Sequence, residues 1–170
     1  MNKYIKYTVL LVLAIFAGSC SISYKFNGAY IDYTKIKSIS ILDFPNNAEL
    51  VYAPLANTFS ESLRDKYSRQ TRLLILRKSG DLNLEGEITG YQLSSVGVAA
   101  DSYAAQSKLT LSVKVRFTNK KNPADDFEKS YTSSQSFDSN SLLADVQDEK
   151  VKLMVDDIVE QVFNDTVAKW

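Results

Sequence analysis

Apolar and polar residues alternate along several stretches of the chain, as in strands that bury one face and expose the other. The alternation is longest over residues 109–118, and it recurs over residues 36–44, residues 82–89 and, more weakly, residues 127–137. The apolar run within residues 72–77 predicts a further strand in a central position. The pattern therefore predicts four or five short strands.

Two other stretches repeat apolar residues every three or four positions, which is the spacing of a helix with one buried face. The first begins near Pro54 and carries Leu55, Phe59, Leu63 and Tyr67. The second covers about residues 141–168, and its apolar stripe is Val151, Met154, Val155, Ile158, Val159, Val162 and Phe163.

The order of these elements predicts an α+β fold. We expect a two-layer sandwich, with two helices packed on one face of a four- to five-stranded mixed, mostly antiparallel sheet. The first two strands are joined through a helix, so they are expected to pair in parallel with a right-handed crossover. Residues 36–170 are then a single domain.

The first nineteen residues have the order of a signal peptide. Lys3 and Lys6 precede about ten apolar residues (8–17), which is too short for a membrane-spanning helix, and small residues lead to Cys20. This order resembles the lipobox of bacterial lipoproteins, which implies cleavage before Cys20 and attachment of diacylglycerol and a fatty acyl chain such as palmitate. Residues 1–19 are then a signal peptide and residues 20–35 a lipidated tether.

Composition and charge exclude several functional classes. The chain has 20 Lys and Arg against 20 Asp and Glu, so it lacks the basic excess of nucleic-acid-binding proteins. It contains no His and one Cys, which removes His-based catalysis, most zinc sites and internal disulfides. No GxSxG elbow or glycine-rich phosphate loop is present. We expect no enzymatic activity, no catalytic or metal-binding residues and no cofactor beyond the lipid on Cys20.

The remaining charged residues are expected either to lie on the solvated surface and pair with one another, or to contact a charged ligand. The acid pairs at residues 125–126 and 156–157 are expected on the solvated surface. Glu85 and Glu87 share a strand face, as do Lys114 and Arg116, so they could form cross-strand pairs or meet a charged lipid headgroup. Six basic residues around the first helix could bind phosphates, although Glu61, Asp65 and Asp81 interrupt them: Arg64, Lys66, Arg69, Arg72, Arg77 and Lys78.

Residues 94–106 form a long link of small residues between two strong strands. It is either a surface loop or an insertion that packs into a partner, with Val96, Val98, Asp101 and Tyr103 as candidate contacts. Near the carboxyl end, Asp165-Thr166-Val167 resembles a short O-glycosylation signal of Bacteroides-type periplasmic proteins. The alternative interpretation is that these three residues simply lie on the exposed surface of the second helix.

Several segments together resemble the lipopolysaccharide-assembly lipoprotein E family in its Bacteroides-type branch. They are the lipobox, FPNNAELVYAPLANTFSESLRDKYSRQTRL, GDLNLEGEITGYQ, KVRFTNKKNPADDFEKSY and DDIVEQVFNDTVAKW. The family fold, two helices on a small mixed sheet, agrees with the fold expected from the residue pattern. Only the role of Cys20 carries over residue by residue, and the lipopolysaccharide-binding residues stay unknown.

The resemblance implies an outer-membrane lipoprotein that plugs the lipopolysaccharide-transport β-barrel, helps it to assemble, and assists insertion of lipopolysaccharide into the outer leaflet. Its partners would be that barrel and lipopolysaccharide itself. The expected location is the outer membrane of a Gram-negative envelope, anchored by lipid and facing the periplasm or lying within the barrel lumen. The alternative is a periplasm-facing adaptor or scaffold lipoprotein of another envelope complex.

Overall fold

The structure, a computed structural model, describes residues 31–96 and 105–167. The signal peptide, Cys20 and most of the tether lie outside this range. The strands are β1 (Ser38–Ile41), β2 (Leu74–Leu76), β3 (Leu82–Val96), β4 (Gln106–Asn119) and β5 (Phe127–Asp138). The helices are α1 (Leu55–Gln70) and α2 (Leu143–Val167), and a single 3₁₀ turn (Pro123–Asp125) lies between β4 and β5.

The five strands form one mixed sheet in the order β2-β1-β3-β4-β5. Strand β1 pairs in parallel with both β2 and β3, whereas β3, β4 and β5 form an antiparallel meander. The predicted α+β class, with two helices and a five-stranded mixed sheet, is confirmed. The parallel pairing of the first two strands through α1 is also as expected.

The core lies between the sheet and the two helices. Along each strand alternate residues point toward the helices, so Ile39, Leu84 and Val113 are fully or almost fully buried. The predicted helix stripes are buried too, including Phe59 and Ile158, both with no exposed surface. The amphipathic spacing thus places both helices on one face of the sheet and leaves the opposite face, here called the outer face, without a helix.

The prediction of a central position for residues 72–77 is wrong. Strand β2 is only three residues long and lies at the sheet edge beside β1. Its side chains alternate, so Leu73 is buried under the helices while Leu74 is 64% exposed on the outer face. An unbroken apolar run does not require burial on both faces when the strand has a neighbour on one side only.

The connection from β2 to β3 crosses the outer face. Residues 77–81 pass over β1, and a Cβ atom on Gly80 would lie 2.8 Å from the Ser40 nitrogen. This crossing explains why Ser40, whose side chain points away from the helices, is only 2% exposed. Asp81 fixes the crossing, because its carboxylate accepts hydrogen bonds from the backbone nitrogens of Lys37 (2.9 Å) and Ser38 (3.2 Å).

Candidate interaction surfaces

Four charged side chains form an ion-pair network at the centre of the outer face. Lys114 contacts Glu128 at 2.6 Å, and Arg116 contacts Glu128 at 3.0 Å and Glu85 at 3.6 Å. Hydrogen bonds from Lys114 and Arg116 lower the pKa of Glu128. The expected cross-strand pairing is formed between Arg116 and Glu85, whereas Lys114 pairs with Glu128 of β5 and the Glu87 carboxylate accepts a hydrogen bond from the Asn47 side chain at 2.6 Å. Since these four groups satisfy one another, the network offers little net charge to a ligand.

A strip of hydroxyl side chains covers the outer face of β4 and β5 beyond this network. The Ser112 and Thr132 hydroxyls are 3.0 Å apart, and Thr132 is exposed. The other members of this strip are Thr110, Ser130, Ser134 and Ser136. Their short side chains make a flat polar surface on which another protein surface could lie closely.

Cations gather at the end of the sheet where β1, β2 and β3 begin and β4 ends, and along the β2–β3 crossing next to that end. We call this region the basic end and define it by Lys37, Arg72, Lys78 and Lys120. All four side chains are exposed, and within residues 31–96 and 105–167 none of them forms an ion pair with a carboxylate. Lys120 does contact the Ser79 hydroxyl.

The six basic residues predicted as one cluster are divided by the fold. Arg64 contacts Asp43 and Glu61, Lys66 contacts Glu160, and Arg69 contacts Asp65 at 3.0 Å. Arg72, Arg77 and Lys78 have no such carboxylate partner in the part of the chain that the structure describes. The sequence pattern does not group Lys37 and Lys120 with this cluster, because strand pairing brings them to this end from distant positions.

A shallow cleft opens on the outer face beside the β2–β3 crossing. Its volume is about 390 Å³, and its lining includes Leu42, Lys78, Ser79, Thr118 and Lys120. Leu42 is 40% exposed, and Leu74 on the neighbouring edge strand is 64% exposed. The basic end therefore combines ammonium and guanidinium groups with exposed leucine side chains.

The predicted loop over residues 94–106 is shorter in the structure. Ser94, Ser95 and Val96 continue β3 and pair with Lys108, Ser107 and Gln106 of β4. The alternation in this segment is masked by small residues, so the sequence placed the strand ends too early. Val98, Asp101 and Tyr103 lie outside the described residues, as does the side chain of Val96, so their role as partner contacts stays a prediction.

Thr166 lies on the buried side of α2. The expectation that residues 165–167 lie on the exposed surface of the helix is therefore wrong at this residue. It is 6% exposed, its hydroxyl donates to the Val162 carbonyl at 2.8 Å, and it contacts the Tyr67 hydroxyl. A glycosyltransferase could not reach this hydroxyl in the folded chain.

The strongly perturbed ionisable groups are tyrosines that support the core. A hydrogen bond to Asp148 raises the pKa of Tyr52 to about 12, and burial raises the pKa of Tyr67. Burial and the Asp165 carboxylate, 2.7 Å away, raise the pKa of Tyr131. The hydroxyl groups of Tyr52, Tyr67 and Tyr131 contact Asp148, Thr166 and Asp165 respectively. Among the described residues no cluster of His, Cys, Asp or Glu could hold a metal ion. In the same part of the chain, no helix is long and apolar enough to cross a membrane.

Comparison with known proteins gives one family and several structural neighbours. The family model described as LptE, lipopolysaccharide-assembly, matches residues 36–166, about three quarters of the chain. No curated protein matches the chain. A neuraminyllactose-binding hemagglutinin homolog from Helicobacter pylori aligns with a TM-score of 0.52 at 8% identity, covering 74% of this chain and 83% of that one.

Two lipoproteins are also among the structural neighbours. A minor lipoprotein from Acinetobacter baumannii aligns with a TM-score of 0.49 at 11% identity, covering 75% of this chain and 89% of that one. The rare lipoprotein B from Shewanella oneidensis aligns with a TM-score of 0.45 at 17% identity, covering 75% of this chain and 92% of that one.

Proposed function

The chain belongs to the LptE family of lipopolysaccharide assembly, and from this membership we propose that it is an outer-membrane lipoprotein that occupies the lipopolysaccharide-transport β-barrel and assists its assembly. The observation that carries the proposal is the family match, which runs from the residues just before β1 to the end of α2 and so spans the whole described fold. In this role the chain supports insertion of lipopolysaccharide into the outer leaflet.

The surface of the described domain suits a partner-binding role. One sheet face is covered by helices and the other is open, with its central charges already paired. Such a face offers shape and hydrogen bonds rather than a reactive group. We therefore assign it to contact with a large partner, as an assembly protein requires, and not to catalysis.

Attachment to the membrane is assigned to Cys20. Replacement of Cys20 by Ala is expected to abolish acylation, so the protein would accumulate unprocessed or soluble. Metabolic labelling with a fatty-acid probe measures this directly. Cys20→Ser provides the matched control, because it keeps the size and polarity of the side chain and should lose the label equally. Label retained on either variant contradicts the lipoprotein assignment.

Association with the barrel is tested by affinity purification of the tagged chain from outer membranes. A large β-barrel should be recovered with the wild-type protein. Deletion of residues 98–103 leaves Gly97, Ala104 and Ala105 as a three-residue turn beyond the Val96–Gln106 pair, so the β3–β4 ladder stays intact. If this loop enters the lumen, the deletion lowers barrel recovery and makes the outer membrane permeable to large antibiotics.

Two controls make the result decisive. Substitution of Ser for Val98, Asp101 and Tyr103 keeps loop length and tests their chemistry, whereas Ala124→Ser alters the exposed turn at the other end of the sheet. Undiminished barrel recovery with the deletion variant excludes the loop as a main contact. Recovery of a different envelope complex with the wild-type chain would instead support the adaptor function.

A further inference from the structure

The basic end coincides with the end of the domain that the lipid anchor must approach. The described chain begins at Ile31, which lies beside Asn119, Asn122 and Thr166 at the same end of the sheet as Lys37 and Lys120. Cys20 precedes Ile31 by eleven positions, and such a segment spans at most about 40 Å when fully extended. A lipid on Cys20 would therefore keep this end within about 40 Å of the membrane, while the β3–β4 loop end, at the far end of the fifteen-residue strand β3, is free to stand farther away.

The two ends of the domain differ in charge. The basic end also carries carboxylates, and each has a partner. Asp81 accepts hydrogen bonds from the Lys37 and Ser38 amides and contacts Lys121 at 3.3 Å, Asp32 contacts Lys35 at 3.5 Å, and Asp125 and Asp126 accept hydrogen bonds from Asn119. The opposite end carries mainly acidic side chains, namely Glu49, Asp138, Asp145, Asp148 and Glu149. An anionic surface would therefore attract the basic end and repel the loop end.

Exposed leucines accompany the unpaired cations. Leu74 and Leu76 of the edge strand β2 lie on the outer face. Arg72 comes before them in the same alternating row, and Lys78 continues the row into the crossing. Leu42 lies in the cleft that Lys78 and Lys120 line together with Glu85, whose carboxylate is paired with Arg116 at 3.6 Å. Alternation of basic and apolar side chains suits the interface of a bilayer, where cations contact headgroups and apolar groups enter the acyl boundary.

We propose that the basic end docks directly on anionic phospholipid headgroups, with Lys37, Arg72, Lys78 and Lys120 on the phosphates and Leu42 and Leu74 at the acyl boundary. Charge complementarity and the position of the chain start select a lipid surface as the occupant. Docking orients the domain with its loop end away from the leaflet. The inference needs no barrel, so it stands or falls separately from the proposed function.

The test uses residues 21–170, which contain every described contact of the fold and lack both signal peptide and lipid. Binding is measured by sedimentation with vesicles of phosphatidylglycerol and phosphatidylethanolamine, and with vesicles of phosphatidylcholine alone. Each cation near an anionic surface contributes roughly a fivefold factor to partitioning. The variant Lys78→Gln with Lys120→Gln is therefore expected to bind the anionic vesicles about 25-fold more weakly.

The matched control neutralises two lysines elsewhere. Lys108 lies on the outer face at the loop end of β4, and Lys152 lies on the exposed side of α2. Lys108→Gln with Lys152→Gln changes net charge equally and should keep binding within about twofold. Equal losses in the two double variants, or equal binding to phosphatidylcholine vesicles, would overturn the proposal, since only net charge or nonspecific adhesion would then be at work.

A second measurement reports insertion of the edge strand. In a Trp170→Phe background, Leu74→Trp gives a single tryptophan whose emission should shift to the blue on anionic vesicles and be quenched by brominated lipid. Unchanged emission would contradict contact of β2 with the bilayer. If vesicle binding is unaffected by Lys78→Gln and Lys120→Gln while barrel recovery from cells is lost, the basic end is a protein contact and the lipid inference is wrong.

Discussion

Gly80 shows how one residue without a side chain lets a connection cross a strand at close range. A Cβ atom there would lie 2.7 Å from the Leu82 carbonyl oxygen and 2.9 Å from the Ile39 carbonyl carbon. Both neighbours are backbone atoms of paired strands, so they cannot move aside as a flexible side chain would. Ser79, the residue before it, has a positive φ of 42°, which turns the chain into the crossing.

We predict that Gly80→Ala destabilises the fold by about 1–3 kcal/mol, the range typical of overpacking in a close contact. Gly90→Ala is the matched control, because its Cβ would meet only the Ser112 side chain, at 3.4 Å. Urea unfolding of the two variants measures the difference. A Gly80→Ala variant as stable as wild type would contradict the close crossing.

Individual residues also show where the sequence pattern no longer predicts which side chains are buried. Alternation correctly assigns Ile39 to the core, yet it also assigns Ser40 to solvent, although Ser40 is buried by a segment forty residues later. Likewise Thr166 is polar and near the chain end, but its partner Tyr67 comes from the other helix. Local pattern carries no information about which distant segment covers a polar residue.

At the scale of elements, the sequence pattern predicts the position and limits of the helices almost completely. The predicted limits of about 141–168 for the second helix compare with Leu143–Val167 in the structure, because its buried positions recur regularly from Val151 to Val167. Strand β2 was placed wrongly since three residues carry too little pattern to tell an edge from a centre. The limits of β3 and β4 at their loop ends were missed because Ser94 and Ser95 have little apolar contrast.

The packing of α2 gives a direct test at this scale. Ile158 has no exposed surface and faces the sheet, so Ile158→Asp would bury an unpaired carboxylate at a cost of several kcal/mol, comparable to the stability of a whole domain. Leu153→Asp makes the same chemical change on the other side of the helix, where the side chain is 43% exposed. We expect loss of a cooperative thermal transition for Ile158→Asp only.

A melting temperature of Ile158→Asp equal to that of wild type would show that α2 does not pack on the sheet as described. A similar loss for Leu153→Asp would point instead to a general intolerance of added acid on this helix.

At the scale of the whole molecule, the basic end is assembled from four separate segments. Lys37 precedes β1, Arg72 precedes β2, Lys78 lies in the crossing and Lys120 follows β4. The sequence shows only part of this grouping, because parallel pairing of β1 with β2 and β3 is what brings their starts to one edge. Tyr67 and Tyr131 also come from distant positions in the sequence, and the fold shields both side chains from water.

These tyrosines make the stability of the molecule sensitive to alkali. Their pKa values in the folded chain are raised above 10, the ordinary value, so the stabilisation is complete below pH 10 and is lost as pH rises through the folded pKa. We predict no tyrosine-dependent change in unfolding free energy between pH 7 and 9, and a decline above pH 10. The contribution of Tyr52 to this decline should continue up to about pH 12, the pKa of its hydroxyl in the folded chain.

The variant Tyr67→Phe isolates the deepest of these groups. Its unfolding free energy should fall less steeply above pH 10 than that of wild type, because one fewer tyrosine ionises on unfolding. The difference in slope should rise toward a limit of about 1.4 kcal/mol per pH unit as the tyrosine of the unfolded chain becomes fully ionised. Urea titrations at pH 9, 10 and 11 measure the slope. Identical slopes would mean that the Tyr67 hydroxyl is not shielded in the folded state.

The uneven connectivity of the sheet has a kinetic consequence. Strands β3, β4 and β5 are consecutive hairpins, whereas Ile39 of β1 pairs with Leu82, forty-three positions later. Closing that long loop costs more entropy before any contact rewards it. We therefore expect the meander to form the folding nucleus, with β1 and β2 joining last. During synthesis, β1 would therefore lack its β3 partner until the segment from Leu82 onward has emerged.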